Sequence, residues 1–172
     1  DCAMRPGSLF ARLPAHFVAT LGGVGHLRPA PGTWGTAAAL PLFWALHVLG
    51  GPTLATLATA LSLPLGLWAV AVAAEGEDDP DKSAYVIDEL AGVWIALLPL
   101  SWGAAGAGVD ILALWPGWIT AFVAFRAFDI LKPGPVGWAD RMKTPLGVML
   151  DDVIAGVMAA LTVLAFAALA HM

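Results

Sequence analysis

Several segments of this sequence run for about 20 residues with almost no charged side chain, which is the length that an α-helix needs to cross a bilayer. Residues 54–74 contain no charged residue, and residues 150–170 carry charge only at Asp151 and Asp152. Charged residues make up 12% of the chain, whereas soluble domains average about 25%. The sequence therefore predicts an integral membrane protein of the all-α class. The apolar stretches cover residues 36–50, 54–74, 86–102, 111–131 and 150–170.

The number of membrane-spanning helices depends on the first stretch, because residues 36–50 are short for a crossing. We expect about five transmembrane helices, or four if this stretch does not span. Upstream, residues 9–21 mix Arg12 and His16 with leucine and phenylalanine, a pattern typical of an amphipathic helix on the membrane surface. The length of 172 residues indicates a single domain over residues 1–172, with residues 1–8 outside its ordered part.

The basic residues indicate how the helices are oriented. If all five stretches span, every Lys and Arg falls on one side of the membrane, and the positive-inside rule makes that side cytoplasmic. Asp110 is then the only charge in the loops of the opposite side. The formal net charge of -5 argues against nucleic acid as a partner. The basic residues are Arg5, Arg12, Arg28, Lys82, Arg126, Lys132, Arg141 and Lys143.

Five carboxylates are predicted to meet on that same face. Asp88 and Glu89 lie near the start of one apolar stretch, Asp151 and Asp152 open another, and Asp129 lies near the end of a third. Carboxylates beside hydrocarbon are costly unless they meet cations, metals or water. Since Mg²⁺ prefers oxygen ligands, the cluster is a candidate metal site. The alternative is that these acids only form salt bridges that fix the helix ends.

Arg126, Asp129 and Lys132 are spaced three residues apart, so they share one face if the helix continues to Lys132. A row of cation, acid and cation can bind a phosphate and orient a metal ligand. The alternative is a ladder of ion pairs at the membrane interface.

The stretch from Gly22 to Thr36 is rich in glycine and lies on the same side as the acids. Thr33 or Thr36 would cap a helix there, and free N–H groups at a helix start attract anions. Arg28 lies in the same stretch. An ordinary turn into the membrane explains the glycines better, and the pattern is not a Walker loop because no Gly-Lys-Ser/Thr follows. The acidic residues 75–81 are interpreted as a solvated connector.

Four motifs in this order carry a family resemblance: APGTWGT, DDPDKSAYVIDELAG, FRAFDILKPGP and LGVMLDDVIAG. Together they resemble the bacterial phosphatidylglycerophosphatase A family over residues 20–165. The resemblance implies a helical, multi-pass inner-membrane protein that hydrolyses the phosphomonoester of phosphatidylglycerophosphate and requires Mg²⁺. Two departures are DRMKTPLG, where a His-Gly-Gly-like run is expected, and Thr36, where serine is usual. The matched functional positions are Asp79, Asp88, Glu89, Arg126, Asp129, Lys132, Asp140, Asp151 and Asp152.

The resulting prediction is an Mg²⁺-dependent lipid phosphatase whose partners are its lipid substrate and the membrane. Asp88, Asp129 and Asp152 are the predicted catalytic residues. Two other classes stay open, a small transporter that uses intramembrane carboxylates and a protein that only binds anionic lipids. The predicted metal ligands are Asp79, Asp88, Glu89, Asp151 and Asp152. The predicted phosphate-binding residues are Arg28, Thr33, Thr36, Arg126 and Lys132.

Overall fold

The computed structural model describes residues 6–75 and 83–170, with side chains from Arg12 onward. These residues form helices and short 3₁₀ turns without a strand, which confirms the all-α prediction. Short 3₁₀ turns cover Val24–His26 and Ile111–Leu114. The helices are α1 (Pro6–Ala19), α2 (Pro31–Ala73), α3 (Ile87–Ala107), α4 (Trp115–Leu131), α5 (Pro135–Asp140) and α6 (Pro145–Ala170).

Four helical segments of the described chain are long and apolar enough to cross a membrane. The first is α2, whose 43 residues contain a break at Gly50 and Gly51. Gly51 has a φ of 63° and a ψ of -163°, which essentially only glycine adopts. Counting α2 as one segment gives four crossings, and counting its halves separately gives five. The predicted number of about five transmembrane helices is therefore only approximate.

The contacts of α2 with α3 show that its two halves fold back on each other. In the first half, Ala39 O accepts a hydrogen bond from Trp94 Nε1 at 2.9 Å, and His47 Nδ1 lies 2.7 Å from Ser101 Oγ. This half therefore runs in the same direction as α3. In the second half the order is reversed, because Trp102 Nε1 donates to Thr56 Oγ1 at 3.1 Å whereas Gly66 packs against Ile87.

The first half of α2 is long enough to cross because it starts earlier than expected. It begins at Pro31, whereas the apolar stretch in the sequence begins at Thr36. Residues 31–49 span about 28 Å at about 1.5 Å per residue, close to the thickness of the hydrocarbon core. The amphipathic helix is present as α1, and Leu13 and Phe17 on it are 70% and 66% exposed.

The prediction that Asp151 and Asp152 open the last helix is wrong, because α6 starts at Pro145. The hydroxyl of Thr144 accepts a hydrogen bond from Gly147 N at 3.1 Å. This N-cap, followed by proline in the first turn, explains the earlier start. The two acids therefore lie in the second turn of α6. Asp88 and Glu89, in contrast, lie in the first turn of α3 as predicted.

Helix α3 is the centre of the bundle and contacts α2, α4 and α6. It touches α6 through Gly92 and Gly156, where a Cβ atom on Gly156 would overlap the Gly92 carbonyl oxygen. A Cβ atom on Gly92 would lie 2.6 Å from Asp152 O. Small residues at such a crossing let two membrane helices approach closely. The contact brings the acidic ends of both helices together.

We predict that Gly156→Ala destabilises the bundle by about 1 to 3 kcal/mol, because the added methyl group forces α3 and α6 apart. The measurement is thermal unfolding in detergent, followed by circular dichroism. Gly103→Ala in α3 is the matched control, since a Cβ atom there meets nothing within 4 Å. Equal unfolding temperatures for the two variants would contradict the proposed packing.

Candidate active site

Five carboxylates from three helices meet at one end of the bundle. Oxygens of Asp88, Glu89 and Asp152 lie within 4.8 Å of one another, and so do oxygens of Asp129, Asp151 and Asp152. Asp152 belongs to both groups. The side chains are withdrawn from solvent, with Asp88 7%, Asp151 6% and Asp152 3% exposed. The predicted convergence of acids from α3, α4 and α6 is therefore present.

Two cations lie against this cluster. Arg126 Nη1 forms an ion pair with Asp129 Oδ2, three residues further along α4. Lys132 Nζ donates to Asp140 Oδ1 and to Asp151 Oδ2, both at 2.7 Å. Lys132 follows the last residue of α4 in a left-handed conformation. This turn directs its ammonium group away from the helix face of Arg126 and Asp129 and towards α5 and α6.

The ion pair between Lys132 and Asp140 changes the pKa values of both groups. Burial by itself would lower the pKa of Lys132, but the hydrogen bonds from its ammonium group to Asp140 and Asp151 outweigh burial and raise it above its usual value. The hydrogen bond from Lys132 is also the main reason why the pKa of Asp140 is lowered. Both groups are therefore charged near neutral pH.

Three polar atoms of the site are buried without a hydrogen-bond partner among the described residues: Glu89 Oε2, Asp152 Oδ1 and Arg126 Nε. A buried polar group without a partner costs about 1 to 3 kcal/mol, and more when it is charged. Such oxygens fit a hard cation, and such an N–H group fits a phosphate oxygen. The donor set therefore suits a divalent metal beside an anion.

The start of α2 reaches the cluster through Gly32, which the sequence analysis did not single out. A Cβ atom at this position would overlap Glu89 Oε1 and lie 3.2 Å from both Nη atoms of Arg126. A larger residue here would require the ends of the Glu89 and Arg126 side chains to shift, so glycine permits this close approach without a rearrangement. The first N–H groups of a helix have no partner within the helix and attract anions. The sequence predicted a helix start in this stretch, and the tertiary contact adds that it lies beside Glu89 and Arg126.

The other predicted phosphate ligands are placed less favourably. Neither Thr33 nor Thr36 caps α2, since Ala30 is the N-cap residue and has no side-chain bond. The Thr36 hydroxyl is buried and donates to Gly32 O at 2.8 Å. Thr33 is half-buried in the first turn, and Arg28 is exposed on the segment that leads into α2.

The predicted metal ligand Asp79 lies outside the described residues. Its role as a ligand stays a prediction, as do the phosphate-binding roles of Arg28, Thr33 and Thr36.

Comparison with known proteins identifies the family. The sequence model of phosphatidylglycerophosphatase A matches residues 17–167. The chain belongs to the phosphatidylglycerophosphatase A family. It is therefore a phosphatase, as the four motifs indicated. No solved structure matches the chain.

The relatives carry two kinds of name. A Haemophilus influenzae protein named phosphatidylglycerophosphatase A is 35% identical over 153 residues, which cover 88% of either chain. An Escherichia coli protein of the same name is 34% identical over 153 residues, covering 86% of this chain and 80% of the relative. A Bacteroides thetaiotaomicron protein, named as a candidate phosphatidylinositol-3-phosphatase, is 39% identical over 140 residues, covering 78% and 82%.

We predict that Asp140→Asn lowers the free energy of unfolding by about 0.5 to 1 kcal/mol at pH 7, because it weakens a partly exposed ion pair. The pKa of Asp140 is lowered in the folded protein, so this stabilisation is present above the ordinary carboxyl pKa of about 3.9 and is lost as pH falls through the folded value. Unfolding in detergent at pH 7 and near pH 3 measures the difference. A difference that persists unchanged at the lower pH would refute the assignment, and Asp110→Asn is the control.

Proposed function

We propose that the protein hydrolyses the terminal phosphomonoester of phosphatidylglycerophosphate in a reaction that requires Mg²⁺, releasing phosphatidylglycerol and phosphate. The observation that carries this proposal is the buried carboxylate cluster beside Arg126 and the start of α2, at one end of a membrane-spanning bundle. The names of the Haemophilus and Escherichia relatives support this substrate.

The position of the cluster along the helices suits a lipid substrate. Asp88 and Glu89 lie in the first turn of α3, Asp129 lies in the last turn of α4, and the pair Asp151 and Asp152 lies in the second turn of α6. Helix ends lie near the level of lipid head groups. A transporter would instead bind its cargo near the middle of the bilayer.

We also propose that this end faces the cytoplasm of a bacterial inner membrane. The described basic residues lie on the same side as the cluster, in α1, in the segment before α2, near the end of α4 and in the connection to α6. The connections at the opposite end carry Asp110 and no Lys or Arg. This asymmetry follows the positive-inside rule.

In the proposed site, the carboxylates of the cluster would hold Mg²⁺. A bound ion would supply positive charge for the phosphate oxygens and Lewis acidity. The chain orients the phosphate through Arg126, whose Nε has no partner among the described residues and whose Nη1 is held by Asp129. The start of α2 lies beside Arg126 at Gly32, and free N–H groups at a helix start suit a second phosphate oxygen.

The reaction forms a bond from a water oxygen to phosphorus and breaks the bond from phosphorus to the glycerol oxygen. The proton lost by water ends on the departing glycerol hydroxyl. Catalysis here depends mainly on positioning the reactants and on stabilising charge, as in phosphoryl transfer generally. Burial of the cluster strengthens these electrostatic interactions.

The first test is phosphate release by the purified protein from phosphatidylglycerophosphate, with Mg²⁺ and with a chelator. We expect release only with the metal. A parallel assay with phosphatidylinositol 3-phosphate measures head-group preference. This lipid is chosen because one relative is named as a candidate phosphatidylinositol-3-phosphatase. Absence of release with Mg²⁺, Mn²⁺ or any other divalent cation would rule out the proposed activity.

The second test is Asp152→Asn, which we expect to lower kcat by at least about 100-fold while the protein still folds. Asp110→Asn is the matched control, because Asp110 lies at the opposite end of the bundle and only caps a 3₁₀ turn. Elution volume in detergent and unfolding temperature check folding. An Asp152→Asn protein with full activity would remove this residue from the site.

A further inference from the structure

From the arrangement of the carboxylates we infer that the site binds two divalent cations, and that Asp152 is the ligand they share. This inference rests on the proposed metal-dependent function and goes beyond it in ion number and in the division of ligands. One ion would lie among Asp88, Glu89 and Asp152. The other would lie among Asp129, Asp151 and Asp152.

The first step is geometric. Each group offers three carboxylate oxygens within 4.8 Å of one another, and Asp152 is common to both. Ligands of Mg²⁺ lie about 2.1 Å from the ion, so oxygens on opposite sides of it are about 4.2 Å apart. Each group therefore closes around an ion with a small movement of side chains. The remaining four acids divide evenly between the two groups.

The second step concerns the oxygens that lack partners. Asp151 Oδ1 accepts from Asp152 N at 2.9 Å, and Asp151 Oδ2 accepts from Lys132. Asp88 Oδ1 accepts from Glu89 N at 3.0 Å. Asp152 Oδ1 and Glu89 Oε2, in contrast, are buried without a partner among the described residues. Asp152 is only 3% exposed, so a cation is the partner that best offsets its burial.

The third step is the charge of the site. The five carboxylates of the two groups face two cations, Arg126 and Lys132, which leaves a formal charge of -3 when all are ionised. One divalent cation would leave the site negative, and a negative site repels a phosphate. Two would make the site positive and admit a doubly charged phosphomonoester. Paired ions about 3.5 to 4 Å apart are common in phosphatases, where they stabilise the attacking and leaving oxygens.

The experiment uses Mn²⁺ as the probe with the full chain in detergent. Metal content after equilibrium dialysis gives the number of ions, and electron paramagnetic resonance reports whether two Mn²⁺ ions are close enough to couple. We expect two Mn²⁺ per chain and a coupled spectrum for the unchanged protein and for Asp110→Asn. Glu89→Gln and Asp129→Asn should each bind one Mn²⁺ and give an uncoupled spectrum.

Asp152→Asn should lose the coupled spectrum and weaken binding of both ions by at least about tenfold. If this variant fails to fold, Asp152→Glu is used, and we expect it to bind Mn²⁺ with an altered coupling. One Mn²⁺ per chain in the unchanged protein would overturn the inference. So would two ions that all acid variants retain, since binding would then lie elsewhere on the surface.

These measurements are independent of catalysis. A chain that binds two coupled Mn²⁺ ions but releases no phosphate would support the inference and sink the proposed function. A Mg²⁺-dependent phosphatase that binds a single Mn²⁺ would support the proposed function and overturn the inference of two ions.

Discussion

The contact between Gly92 of α3 and Gly156 of α6 controls the geometry of the site. Lipid surrounds these helices, so their association depends on close packing, which small residues permit. Because the two helices run in the same direction, the residues four positions earlier, Asp88 and Asp152, lie on the same side of the crossing. The separation of these carboxylates therefore depends on a backbone contact one helical turn away.

The same contact forces like charges together in a buried place. Asp88, Asp151 and Asp152 are each less than a tenth exposed, and their mutual repulsion opposes the packing that gathers them. Lys132 offsets part of this cost by bonding Asp151, and Arg126 offsets another part by pairing with Asp129. A cation bound as proposed would offset more of it. Under that proposal, stability of the bundle and affinity for metal are coupled through the same side chains.

Much of the fold could be predicted because hydrocarbon imposes a simple rule on the sequence. Uncharged stretches of this length are expected to be helices, and basic residues are expected on one side. The sequence predicted the reversal within α2 only in part, because Gly50 and Gly51 break the helix without a polar linker. The early start of α6 follows from Thr144 and Pro145, a cap and first-turn proline that hydropathy alone does not indicate.

The charged residues show where sequence spacing stops being informative. Spacing placed Arg126, Asp129 and Lys132 on one helix face, yet the left-handed turn at Lys132 ends the helix and sends its side chain to Asp140 and Asp151. Two of the three N–H donors of the Lys132 ammonium group are used by these carboxylates. The Nε–H group of Arg126 has no partner among the described residues, and its Nη atoms lie beside Gly32 in the first turn of α2. The two cations thus differ in their contacts, because Arg126 faces the start of α2 while Lys132 joins α5 to α6.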